Sequence, residues 1–166
     1  WEDEQFVSEN IHFLHKKTKP VKFPLSDESK TIIRDLIDSY KSIPCAGIAA
    51  NQIGYNQSIF VGMKRCDEEE EGKQVERMES NSEKYSNMAN EFSDNREIYI
   101  NPKIYKSKSE STQNDTEGCL SIPNLTLDVT RYDKIKVRYR NVDGGIVKKP
   151  LKGFMSKLFQ HELDHL

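Results

Sequence analysis

Gln160-His161-Glu162-Leu163-Asp164-His165-Leu166 is an H-E-x-x-H stretch with a single residue after its second histidine. Read as a helix, it sets His161 and His165 four apart on one face, where both imidazoles can grip one metal ion while Glu162 stands beside it as an acid/base. That is the beginning of a hydrolytic metal site. Two imidazoles fall one short of the three protein ligands that a catalytic zinc-type site takes, so a third is expected upstream. Just before the motif, Phe154, Met155, Leu158 and Phe159 recur at helical spacing, which predicts one helix over 153–166. Positions 154, 158, 161 and 165 share a face of it. Phe154 and Leu158 therefore either wall a hydrophobic pocket beside the metal or are ordinary core residues.

Working back toward the N-terminus, the strict alternation over 134–140 puts Ile135, Val137 and Tyr139 on one face of a strand and Lys134, Lys136, Arg138 and Arg140 on the other. The basic face reads as the solvated side of a sheet, with docking to an RNA-rich partner as the alternative. Turn chemistry at Asn141-Val142-Asp143-Gly144-Gly145 leads into a further strand at 146–147. Short strands are also expected over 58–63, 97–104 and 125–129. A helix is expected over 26–41, because Ile32, Ile33, Leu36, Ile37 and Tyr40 repeat at helical spacing behind a Ser26-Asp27 cap and ahead of Pro44. The fold class is thus α+β: small antiparallel or mixed sheets packed around a central C-terminal helix that carries the motif, with one N-terminal helix.

The 166 residues suit a single domain, 1–166, long enough to bury about 70% of the surface its unfolded chain would expose. Residues 67–96 shift to Glu, Ser, Asn and Lys, starting with the acidic run Asp67 to Glu71, and read as a flexible surface insertion. A net charge of -2 gives no global basic excess of the kind that binds specific DNA. No apolar run approaches the roughly 20 residues that span a bilayer. The chain starts at Trp1, so a leader or longer precursor is expected to have been removed.

For the third ligand, Cys119 stands out. It lies in Glu117-Gly118-Cys119-Leu120-Ser121, where Gly118 permits close backbone approach and a thiolate would bind a divalent ion strongly. Counting alone leaves Cys45 and Cys66 open as well. His12 and His15 lack a supporting context and read as surface histidines. Three cysteines in a chain of this size argue for reactive or ligating thiols over a disulfide framework.

Taken in order, Cys45-Ala46-Gly47-Ile48-Ala49-Ala50-Asn51-Gln52, Glu117-Gly118-Cys119-Leu120-Ser121 and Gln160-His161-Glu162-Leu163-Asp164-His165 resemble the three motifs of peptide deformylases, G-x-G-x-A-A-x-Q, E-G-C-x-S and Q-H-E-x-x-H. The second and third are intact. In the first, Cys45 replaces a glycine, which puts the local backbone angle or the width of the substrate cleft in question. The resemblance runs from about Pro20 to Leu166 around the acidic insertion. Family members usually continue beyond the third motif, so a truncation after Leu166 is expected.

The resemblance implies one divalent metal ion held by Cys119, His161 and His165, often Fe(II), with Zn, Co or Ni as alternatives, and a water in the fourth position. It implies that Glu162 takes a proton from that water and later delivers it to the departing amine, releasing formate from an N-formyl-methionyl nascent peptide. The Gln52 side-chain amide and the Leu120 backbone N–H would face the developing oxyanion. Gly47 and Gly118 would bring backbone groups to the peptide, and Phe154 and Leu158 would suit an unbranched methionine side chain. Glu117 would pair with Arg131, and Asp164 would be an orienting or a helix-surface residue. A transient ribosome contact follows from the substrate. Rival readings are a metallopeptidase acting on ordinary peptide bonds and a noncatalytic structural zinc module. The Asn- and Lys-rich composition and the insertion point to an organelle, an apicoplast or another plastid or mitochondrial compartment, with a bacterial-type cytoplasm as the alternative.

Overall fold

Most of the C-terminal helix, α2 (Gly153–His165), is out of water: Phe154 to Gln160 and Glu162 are all buried. A helix apolar or buried on all sides belongs in the middle of a structure. The computed structural model describes residues 13–66, 90, 93–107, 112–119 and 122–166, without the side chains at 106, 107, 115, 116, 118, 119 and 122–127. Within it, α2 is enclosed by a five-stranded sheet on one side and a two-stranded hairpin on another.

The larger sheet runs in the order β1-β2-β3-β6-β7, every neighbouring pair antiparallel: β1 (Gly47–Ala49), β2 (Ile59–Met63), β3 (Arg96–Ser107), β6 (Lys134–Arg140) and β7 (Ile146–Lys152). Strand β2 is buried throughout, because the sheet is covered on both faces there. Ile59 and Val61 turn toward the N-terminal helix α1 (Asp27–Ser42), in a cluster with Ile32, Leu36, Tyr40 and Ile48. Phe60 turns toward α2, in a cluster with Tyr99, Tyr139, Leu158 and Phe159. The Phe60 and Tyr99 rings stack at 4.5 Å between centroids, and the Phe159 ring meets both edge-on. This aromatic packing fixes the height at which α2 lies over the sheet.

Helix α1 forms as its sequence dictates. The Ser26 hydroxyl accepts from the Ser29 N–H at 3.1 Å, Asp27 and Glu28 occupy the first turn, and the chain turns extended at Ile43 ahead of Pro44. Strand β6 alternates as expected, with Ile135, Val137 and Tyr139 buried and Lys134, Lys136 and Arg138 exposed.

The hairpin pairs β4 (Thr112–Cys119) with β5 (Ile122–Tyr132). Strand β4 is polar and carries no strand signal in its sequence; it forms as the partner of β5. The hairpin grips the first turn of α2. Gln113 Nε2 donates to the Gly153 carbonyl at 2.9 Å, and the Ser156 hydroxyl donates to the Tyr132 carbonyl at 2.7 Å. Of the segment 67–96, residues 67–89, 91 and 92 lie outside the described residues; Arg96 already belongs to β3, and Asn90 is buried, donating to the carbonyls of Tyr40 and Cys45. Among the described residues no helix is long and apolar enough to cross a membrane.

Candidate active site

The helical spacing of the motif brings the Nε2 atoms of His161 and His165 to 3.3 Å of each other. Two nitrogens each about 2.05 Å from one tetrahedral ion would stand about 3.3 Å apart, so the pair is set at the spacing of two ligands on a shared metal. The opposite nitrogen of His161, Nδ1, lies 2.7 Å from Glu117 Oε2. A carboxylate there makes Nδ1 the protonated position and turns the Nε2 lone pair toward His165, the outer-shell arrangement common to metal-binding histidines. The donor set therefore fits a divalent ion.

Glu117 reaches His161 from strand β4 and is itself clamped from β5. Arg131 donates to both of its oxygens, Nε to Oε1 at 3.1 Å and Nη2 to Oε2 at 2.9 Å. Arg131 Nη1 also bonds Asp164 on the exposed side of α2. Burial would raise the Glu117 pKa, but the hydrogen bonds from His161 and Arg131 outweigh it and hold the carboxyl down at about 2. Burial disfavours the cation on both histidines. At His161 the Glu117 bond reverses this and raises the pKa, whereas at His165 burial prevails and lowers it. Burial thus favours the neutral imidazole at His165, while the Glu117 carboxylate favours the cation at His161.

Glu162 is 3% exposed and lies against β1. A Cβ added to Gly47 would stand 2.9 Å from Glu162 Oε1, so the glycine leaves the room the carboxylate occupies. The following turn, a short 3-10 helix at Ala50–Ile53, fixes two more groups. Gln52 Oε1 accepts from the Ala49 N–H at 2.9 Å, and Asn51 Nδ2 donates to the carbonyl of His165. Three segments distant in sequence thus converge on the end of α2: the β1 turn, β4 and β5.

The chain matches the family model for polypeptide deformylase over residues 4–166. It belongs to the peptide deformylase family. It is 32% identical to the peptide deformylase of Thermotoga neapolitana over 92% of this chain and 75% of that protein. To the enzyme of Symbiobacterium thermophilum it is 30% identical, over 98% of this chain and 62% of the relative's length. Among solved structures, a Plasmodium falciparum peptide deformylase superposes with a TM-score of 0.68 at 28% identity, over 93% of this chain and 76% of that one. The Thermotoga maritima enzyme gives 0.63 at 30% identity, over 93% and 84%.

Within this deformylase fold, the expected residues are distributed as follows. His161, His165, Glu162 and Gly47 come together on α2 and β1, joined by Glu117 and Arg131. Cys119 is the last residue of β4, two beyond Glu117, with Gly118 between them in the strand; the Cys119 side chain and the whole of Leu120 lie outside the described residues. Among the described residues no third His, Cys, Asp or Glu completes a metal group with the two histidines. Phe154 and Leu158 are each 6% exposed and sit in the cluster between α2 and the sheet. Cys45 packs in the other cluster, against α1 with Ile48 and Val61, so the side chain that replaces a motif glycine stays off the α2 face of the sheet. Asp164 is exposed at the helix surface and yet orients Arg131. His15 is exposed, and His12 lies outside the described residues.

Two residues were missed by sequence reading. Gln160 accepts from the Tyr132 N–H at 3.0 Å and donates to the Tyr132 carbonyl at 2.8 Å, tying β5 to the helix. Its place inside Q-H-E-x-x-H was the available signal. Asn51 occupies a variable position of its motif, and nothing in the sequence marks it.

Proposed function

We propose that the chain removes the N-formyl group from the initiator methionine of nascent peptides, with Cys119, His161 and His165 as the ligands of one divalent ion, Fe(II) in the native enzyme or else Zn, Co or Ni. The observation that carries this is the 3.3 Å approach of the two histidine Nε2 atoms with the buried Glu162 on the adjoining face of the same helix. Held by these three residues, a divalent ion would supply Lewis acidity, which lowers the pKa of a water from about 15.7 toward about 7. Glu162 takes the proton of the attacking water and then gives it to the leaving amine, so that formate and a free N-terminus result. The Gln52 amide and the Leu120 N–H receive the negative charge that builds on the formyl oxygen. Gly47 and Gly118 offer backbone groups to the peptide, and the methionine side chain lies toward Phe154 and Leu158.

A passing contact with the ribosome is part of the proposal, as is an organellar address, in an apicoplast or another plastid or mitochondrial compartment. Support for the address is the Asn- and Lys-rich composition with its acidic run at Asp67 to Glu71. The test is formate release from formyl-Met-Ala-Ser by protein of known metal content. Glu162→Gln should lower kcat about 10²- to 10⁴-fold with the metal retained, and Cys119→Ser should change metal content. Metal-loaded protein that yields no formate would sink this reading.

A further inference from the structure

The sheet presents its α2-facing side as core; on the reverse side α1 covers β1, β2 and the Ile98 and Ile100 positions of β3, while beyond them the side formed by Lys103 of β3, β6 and β7 is exposed and basic. Lys103, Lys134, Lys136, Arg138, Lys148 and Lys152 are all exposed there. Strand register sets like charges directly opposite one another, Arg138 beside Lys148 and beside Lys103, and Lys134 beside Lys152. Such pairs oppose strand association. Among the described residues none of the six forms an ion pair; Asp133 and Asp143 stand at the hairpin ends, and Glu97 is turned to Lys149 and Tyr139. The chain as a whole carries a net charge of -2, so the basic character of this face is local and not a property of the whole chain. Every second residue of β6 repeats about every 6.6 Å, and strands lie about 4.8 Å apart, giving a closely spaced cationic lattice. Tyr105, 53% exposed on β3, adds a ring at its margin.

We propose that this face docks on the phosphate backbone of RNA, without reading its sequence. A lattice of unpaired cations with one exposed aromatic ring has the chemistry of backbone contact and stacking. The choice of RNA over another polyanion rests on the deformylase reading, whose substrates emerge from an RNA-rich particle. Because the basic face is the reverse of the one against α2, RNA held there leaves the side of His161 and His165 open to a peptide.

The experiment measures binding of a short fluorescein-labelled mixed-sequence RNA by anisotropy across a salt series. Four phosphate contacts at about -0.7 each give a slope near -2.8, so raising salt from about 50 to about 200 mM should weaken binding about 50-fold. Replacing Lys134, Lys136, Arg138 and Lys148 together by glutamine should cost about tenfold or more in affinity and leave formate release from the short formyl peptide unchanged. Should that variant fold poorly, Lys136→Gln alone should lower the slope by about 0.7. RNA binding undiminished by these substitutions overturns the proposal. So does binding to phosphatidylserine vesicles without binding to RNA, which would make the face a membrane surface. Absence of formate release from the unsubstituted, metal-loaded chain, with RNA binding intact, would overturn the activity and leave the RNA face standing.

Discussion

Gly47→Ala separates the role of Glu162 from that of the metal ligands. The new methyl would stand 2.9 Å from Glu162 Oε1 and 3.1 Å from its Cδ and Cγ, against an ordinary contact beginning at 3.4 Å. The carboxylate must therefore retreat by about 0.5 Å, and at 3% exposure it has no solvent to swing into. A misplacement of about 1 Å in a reacting group can cost about 10²-fold, so kcat should fall about tenfold, about 1.4 kcal/mol of barrier. Crowding should cost about 1–3 kcal/mol of stability, offset by about 0.4–1 kcal/mol from the stiffer unfolded chain, which predicts a Tm lower by a few degrees. Gly47 does not adopt a left-handed backbone, so the whole effect lies in the contact. Steady-state formate release and metal analysis on the same preparation check it. Gly54→Ala is the counterpart: its Cβ would meet nothing within 4 Å but its φ is +90°, so stability should drop by about 1 kcal/mol with kcat preserved. Metal-replete Gly47→Ala turning over within about twofold of the unsubstituted enzyme would refute the reasoning, as would loss of metal in place of loss of kcat.

Two further substitutions probe the supports of the helix. Glu117→Gln removes the carboxylate behind His161 and should weaken metal affinity about 10- to 100-fold, read by competition with a chelator; unchanged affinity would show that Glu117 does not set the imidazole. Gln160→Leu keeps the volume but removes, at a side chain only 7% exposed, the partner of the Tyr132 N–H, costing about 1–3 kcal/mol and about 2–4 °C of Tm per kcal/mol; an unaltered melting curve would mean the tie between β5 and α2 is redundant.

What the sequence revealed of this site follows from where its information is local. His161, Glu162 and His165 sit within one helical turn and a half, so spacing alone predicts that they cooperate. The same holds for β6, whose alternation is complete within seven residues, and for α1 with its Ser26 cap. Strand β4 was invisible because Thr112 to Cys119 is polar and has no apolar period; its existence depends on pairing with β5, a relation between two segments. Asn51 shows the same limit at one residue. Its bond to the His165 carbonyl spans 114 positions, and no pattern near residue 51 encodes it.

The last carbonyls of α2, as of any α-helix, have no donor within the helix, and the chain supplies partners from afar. The Thr18 N–H donates to the Leu166 carbonyl at 2.9 Å and its hydroxyl to the same oxygen at 3.0 Å, while Asn51 takes that of His165. His165 is thus fixed through its backbone by the N-terminal segment and the β1 turn, whereas His161 is fixed through its side chain by Glu117 and Arg131. The two histidines are held by different means, and Arg131 links them, bonding Glu117 behind His161 and Asp164 beside His165. A disturbance confined to Glu117 should then loosen the His161 ring first, and the 3.3 Å spacing of the two Nε2 atoms would be lost by the motion of one ring. That is why the Glu117 substitution bears first on one ligand, and why Gly47, acting from β1, bears on neither.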